Sequence, residues 1–279
     1  YIISMSILIG TPYIYNKEFC SSNSSKIVSI SHKKKVLAQL ESVFNSLHIK
    51  VIHIEHNKAT KLNNMCTALW VRDIFVKIDD THVLLPGVHK GEDGLVRENE
   101  YMTVKSLFPS YITNDDPKSK LEGGDIIQDG NMILVGTNKR TNTQGSTFLT
   151  SHFKNKNVVT IPHKSLHLDC CLCILHNNII LYSKKSISKL PSQIESKYMC
   201  LDLETILGEK INTNLALNFI IIQKNVITAY NAKFKPLYDF LELMGYTIHH
   251  IKFFNLHELG GGVRCLTQWI NTPKNQVFF

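Results

Sequence analysis

One short pattern, strand, strand, helix, strand, recurs along this chain and constrains its fold more than any other feature. Its clearest copy places strands at 125–127 and 132–135 around the turn Asp129-Gly130-Asn131, then a helix over 143–153 and a strand at 158–161. Another sets strands at 172–175 and 179–182 about Asn177-Asn178. A third sets 217–222 and 226–229 about Lys224-Asn225. It is followed by a helix over 233–244, with Phe234, Leu237, Tyr238, Leu241 and Met244 on one face, and a strand at 247–251. Short apolar runs between turn residues mark the strands, and apolar positions three and four apart mark the helices.

The N-terminal third carries the same elements. A strand at 6–9 ends at Gly10-Thr11-Pro12; Val36, Leu37, Leu40, Val43, Phe44 and Leu47 line one helix face within 33–47; and 51–54 reads as a strand. Residues 20–26 form a serine-rich connection. Residues 69–78 and 82–85 read as a strand pair with Asp79-Asp80 at the turn, 97–108 as a helix and 114–120 as a polar loop. About five units result, alike in order but divergent in sequence. A ring of five would set loops from several units around one central site, an α/β architecture.

With 279 residues and 43% hydrophobic content the chain buries a sizeable core. It reads as one domain over 1–279, with residues 1–5 as a candidate non-native or disordered start. The longest apolar runs, such as 219–222, fall far short of the ~20 residues that span a bilayer. Residues 1–9 lack a basic leader and a cleavage site, so a cytoplasmic protein with no membrane partner is expected. Seven irregularly spaced cysteines read as reduced thiols. The net charge of +8 comes from scattered lysines. Its densest run, Lys33-Lys34-Lys35, opens a helix, so the basicity reads as solvated surface and no nucleic-acid partner is expected.

Five polar clusters interrupt the apolar pattern. Gly260-Gly261-Gly262-Val263-Arg264-Cys265 follows an expected strand at 256–259 and delivers a cysteine on a sharp turn. Arg264 beside it favours the thiolate, the attacking form, while the alternative is a glycine loop before a buried cysteine. Arg72-Asp73 lies within an apolar run, either as an internal ion pair or as a carboxylate aimed at a cation. Glu122-Gly123-Gly124-Asp125 is either a plain turn or two acids placed where a planar group meets the backbone closely, and guanidinium is such a group. His167 and Asp169, two apart, share a face if the strand is extended, which suits an acid/base beside a binding carboxylate. Cys170, Cys171 and Cys173, with His163 upstream, lack the second knuckle of a zinc site, and apolar packing is the better reading. Lys139-Arg140-Thr141-Asn142 puts Arg140 between a strand end and a helix start, where it suits a carboxylate, and Arg97 is a weaker candidate of the same kind.

Taken in order, Arg-Asp, Glu-Gly-Gly-Asp, Lys-Arg-Thr-Asn, His-Leu-Asp and Gly-Gly-Gly-x-x-Cys resemble the guanidino-group-modifying superfamily over roughly residues 7–270. The resemblance implies the pentein α/β propeller, five ββαβ-type units around a pseudo-fivefold axis. It implies a hydrolase in which Cys265 attacks the guanidinium carbon, His167 protonates the leaving amine and then activates water, and Glu122 orients the histidine. Asp73, Glu122 and Asp169 would bind the guanidinium nitrogens, Asp125 would also contact substrate, and Arg140 with Arg97 would hold its carboxylate. No metal or organic cofactor is required. Among the branches, the marks are most similar to arginine deiminase. The short length also resembles dimethylarginine dimethylaminohydrolase and the small arginine dihydrolases. An amidinotransferase and a non-catalytic binding module are the remaining alternatives. The expected partner is a small guanidino substrate, with a homo-oligomer left open. Loops at 16–25 and 87–94 are candidates for closing the site.

Overall fold

A computed structural model describes residues 5–9, 29–54, 69–86, 104–105, 107–210 and 212–271. Arg97, both candidate closing loops, the turn at 10–12, the connection at 20–26 and most of the helix expected over 97–108 lie outside the described residues. Of that stretch, Val104 and Lys105 are described and helical, while Leu107 and Phe108 are described and are not.

Fifteen described strands form five three-stranded sheets. The Ile126–Asp129 (β6) and Met132–Thr137 (β7) hairpin shows how the unit arises. Gly130 at φ +59° turns the chain, and the two strands pair antiparallel. A helix then crosses from β7 to Asn157–Pro162 (β8), which pairs parallel to β7. That helix, Thr143–His152, is capped by Asn142, whose side chain accepts from Gly145 N at 3.0 Å.

The described chain falls into two compact units, one drawn from Tyr1–Pro117 and Ile251–Lys274, the other from Lys118–His250. In the second, the β6-β7-β8 plan recurs as Leu172–Leu175 (β9), Ile179–Tyr182 (β10) and Met199–Asp202 (β11). It recurs again as Ile220–Ile222 (β12), Asn225–Ala229 (β13) and Thr247–Ile251 (β14), with the helix Lys235–Leu243 before the last strand. Leu134, Ile161, Leu172, Ile180, Phe219 and Leu237 share one buried core.

The first unit holds the remaining two sheets. Val76–Lys77 (β3), Val83–Leu85 (β4) and Ile112–Thr113 (β5) follow the same antiparallel-then-parallel plan. Ser6–Ile9 (β1) runs parallel to Lys50–His53 (β2) after the helix Ile30–Ser46. Its antiparallel neighbour is Thr267–Asn271 (β15), from the far end of the sequence. The fifth unit is therefore assembled from both ends of the described chain. Leu8, Ile54, Val71, Phe75, Leu85 and Val104 pack together there.

Four expectations need correction. Residues 69–78 do not form one strand: Val71–Asp73 makes a 3-10 turn and β3 is two residues long. Every residue from Leu69 to Val76 is buried, so the run shows no two-residue alternation to separate strand from turn. Leu256–Leu259 is likewise a 3-10 turn, because Asn255 at φ +63° and Gly260 at φ +91° close it at both ends. His167 and Asp169 do not share an extended face, since Leu168–Cys170 is a 3-10 turn. There the Leu168 amide donates to the Asp125 carboxylate instead of to a neighbouring strand. Lys33 is 1% exposed, on the helix face of Val36, Leu40 and Phe44, and is not part of a solvated run. Among the described residues no helix is long and apolar enough to cross a membrane.

Candidate active site

In the second unit, Glu122, Arg140 and His167 converge. Glu122 ends an extended segment and immediately precedes the 3-10 turn Gly123–Asp125. Its Oε2 lies 2.5 Å from His167 Nε2, with the glutamate side chain fully buried and the histidine 3% exposed. A carboxylate so close accepts the ring N–H, fixes the imidazole's orientation and supports its positive charge when protonated. Arg140 Nη1 is 3.4 Å from Glu122 Oε1 and keeps a fifth of its side chain exposed. The Arg140-Thr141-Asn142 stretch also builds the backbone beneath the acid. Glu122 N donates to Thr141 Oγ1 at 3.1 Å, Lys120 N donates to Asn142 Oδ1 at 2.9 Å, and Asn142 Nδ2 donates to Lys118 O at 2.8 Å.

Asp169 is fully buried two residues beyond the histidine. Its Oδ1 accepts from Asn218 Nδ2 at 3.3 Å and from the Cys170 thiol at 3.4 Å. Asp125 is also fully buried. Its Oδ1 meets His163 Nε2 at 2.9 Å and the Leu168 amide at 2.8 Å. The thiols around these acids pack against backbone: Cys171 donates to Leu168 O at 3.5 Å and Cys173 to Ile174 O at 3.7 Å. Burial, with the charges of Asp125 and Asp169 adding to it, pushes the Cys171 thiol well up, so it stays protonated.

The cysteine elbow and Asp73 belong to the first unit, where the backbone joins them. Arg72 N donates to Cys265 O at 3.2 Å, fixing the Val71–Asp73 turn against the elbow. Leu266 N donates to Val263 O and Thr267 N to Arg264 O, so Cys265 sits within a tight turn just before β15. Cys265 is 2% exposed, and Arg264 and Asp73 are buried beside it in sequence and in the turn. The glycines have separate reasons. Gly260 takes a left-handed φ, whereas a Cβ on Gly261 would lie 2.6 Å from the Trp70 ring. Gln268, on β15, accepts from Arg72 Nη1 at 2.8 Å and donates to Phe75 O at 2.6 Å.

Of the residues singled out from sequence, Glu122, His167 and Arg140 are brought together, as are Asp73 and Cys265 through their turns. Asn138, Thr141, Asn218 and Gln268 were not foreseen as supports. Thr141 lies in a motif quoted for its arginine, while Asn138, Asn218 and Gln268 carry no local pattern and only the three-dimensional pairing exposes them.

A family model for arginine deiminase matches residues 17–197, more than half of the chain. The chain belongs to the arginine deiminase family. Within that family's wider kin, the N(G),N(G)-dimethylarginine dimethylaminohydrolase of Pseudomonas aeruginosa is 24% identical over 182 residues, 64% of this chain and 65% of that protein. An uncharacterized protein of Bacillus subtilis is 25% identical over 179 residues, covering 62% of this chain and 60% of its own length. The matches thus span less than two thirds of these relatives. Among solved structures, the Pseudomonas aeruginosa enzyme complexed with citrulline has a TM-score of 0.74 at 16% identity, covering 97% of this chain and all of that one. The N-terminal domain of a cyanobacterial arginine dihydrolase gives a TM-score of 0.74 at 16% identity, over 97% of this chain and 98% of that one. The arginine deiminase family member described here has their fold, the pentein α/β fold expected from its motifs.

Proposed function

We propose that this protein hydrolyses a C–N bond of a guanidino group, with L-arginine as substrate and citrulline and ammonia as products. The observation that carries the reading is the buried Glu122–His167 pair, an imidazole with a carboxylate 2.5 Å from its ring nitrogen. Such a pair can give a proton to a departing amine and take one from water, the two transfers this hydrolysis needs. Cys265 attacks the guanidinium carbon as thiolate and ammonia leaves with the proton from His167. Water, deprotonated by His167, then releases the ureido product and restores the thiol. Asp73 and Asp169 bind the guanidinium nitrogens, and Arg140 binds the substrate carboxylate. Membership of the arginine deiminase family supports arginine. A second reading, methylated arginine, is favoured by the relative from Pseudomonas aeruginosa.

The test is a substrate panel of L-arginine, agmatine, and mono- and dimethylated arginine, with ureido product and released amine measured for wild type and Cys265→Ser. Citrulline from arginine, abolished in the variant, is the expected outcome. Preference for the methylated compounds moves the protein to the second reading. No product from any of the four overturns the hydrolase reading.

A further inference from the structure

Beneath the Glu122–His167 pair, six hydrogen bonds tie together the two segments that carry its members. Starting at the glutamate, its N–H donates to Thr141 Oγ1 at 3.1 Å, and Thr141 N donates to Asn138 Oδ1 at 3.0 Å. The same Asn138 spans to the histidine loop, its Nδ2 donating to Ser165 O at 3.0 Å and Leu166 O at 2.9 Å. On the other side of His167, Leu168 N donates to Asp125 Oδ1 at 2.8 Å, and Asp125 N returns to Glu122 O at 3.0 Å. His167 is therefore held through the residues on both sides of it, and each tie leads back to Glu122.

Chemistry fixes the roles within this circuit. Asn138 Oδ1 accepts from the amides of Arg140 and Thr141, which settles the orientation of its amide group. Its two N–H groups are then taken by the carbonyls of Ser165 and Leu166. A carboxylate oxygen accepts, so His163 Nε2, 2.9 Å from Asp125 Oδ1, is the donor of that bond, and His163 supports the carboxylate from the far side. There is no slack around it. A Cβ built on Gly136 would lie 2.5 Å from His163 Nε2, 2.8 Å from Asp125 Oδ1 and 2.8 Å from Leu168 Cβ.

We propose that Asn138 and Asp125 are positioning residues that set the His167–Glu122 geometry for proton transfer, with Asp125 acting on the fold of the site and not as a substrate ligand. The inference rests on the reading of His167 as the proton carrier. A misplacement of about 1 Å in such a group costs on the order of 100-fold in rate.

Asn138→Ala, Asp125→Asn and Asp125→Ala are compared with wild type for kcat and KM on the turned-over guanidino substrate. Thermal unfolding shows that each variant is folded, and NMR follows titration of the His167 ring, assigned with His167→Gln. Asn138→Ala and Asp125→Ala should lose about 10- to 100-fold in kcat, with KM within about threefold. Asp125→Asn keeps an oxygen that accepts from Leu168 N and His163 Nε2, and should recover to within about tenfold of wild type. A folded Asn138→Ala with wild-type kcat overturns the proposal. So does an Asp125→Asn that raises KM as much as Asp125→Ala, the mark of a lost charge to the substrate cation. If wild type turns over none of the guanidino compounds, the proposed function falls, and the NMR arm decides the positioning role. The His167 titration midpoint should still move in Asn138→Ala, and an unmoved midpoint overturns the role.

Discussion

At the scale of single residues, two adjacent glycines in the elbow do different work, and substitution separates them. Gly260 has φ +91° with open space where a Cβ would go. Gly260→Ala therefore meets backbone strain alone, about 1–2 kcal/mol. Gly261 lacks a positive φ, but its Cβ would meet three Trp70 ring atoms at 2.6–2.8 Å. The ring is buried, so Gly261→Ala displaces either the indole or the elbow and should cost about 2–3 kcal/mol. Because the elbow carries Cys265, it should also lower kcat more than Gly260→Ala does. Urea unfolding and steady-state kinetics on the two variants check the ranking; equal costs would mean that Trp70 moves freely. The candidate residues themselves stood out beforehand: a cysteine after three glycines, and Glu122, His167 and Asp169 in short polar motifs within apolar runs. Their supports did not. Asn138 and Gln268 act through bonds to backbone 27 and 193 residues away, and no local spacing encodes those partners.

Among the elements, what was legible depended on turn chemistry and burial contrast. Strands β9, β10 and β14 match their expected bounds because turn residues flank them; Asn177 and Asn178 take φ +65° and +56°. The 3-10 turns at Val71–Asp73 and Leu168–Cys170 are buried throughout, and a run without contrast has no period to read. Strand β11 was passed over because Met199 to Asp202 are all at least partly exposed. Its placement depends on side chains just before it. Tyr198 donates its hydroxyl to Asp129, and Lys197 Nζ lies 2.7 Å from the same carboxylate, which fastens the approach to β11 onto the end of β6. Burial pushes the Tyr198 pKa up, and the bond and charge of Asp129 push it further. The folded protein keeps a proton that the unfolded chain releases near pH ~10. That stabilisation is complete below the unfolded value and fades as pH rises beyond it. Tyr198→Phe should cost about 1 kcal/mol at pH 7, since Lys197 still holds Asp129, and should flatten the alkaline fall in stability. Urea unfolding at pH 7, 9 and 11 is the measurement; an unchanged alkaline slope would assign the fall to other groups.

Over the whole chain, the sheet β15-β1-β2 could not be foreseen from local pattern, because its first and last strands stand at opposite ends of the described sequence. Each unit elsewhere closes within its own stretch, while this one requires Ser6–Ile9 to find Thr267–Asn271. Gln268 makes that closure matter for the site. It is 3% exposed, and its amide bridges the Arg72 guanidinium and the Phe75 carbonyl, on the segment that carries Asp73. Gln268→Ala removes both bonds from buried partners, one of them charged, and should cost about 2–4 kcal/mol. The turn holding Asp73 loses an anchor in the same step, so kcat/KM for the guanidino substrate should fall about tenfold or more. Gln268→Glu separates the two contributions. Its carboxylate can still accept from Arg72 but has no N–H for Phe75 O, so it should recover the Arg72 share only and lie between wild type and Gln268→Ala. If both variants unfold at the wild-type urea midpoint, the closing strand is held by its backbone pairing and apolar packing alone, and Asp73 owes its position to the Arg72–Cys265 backbone bond.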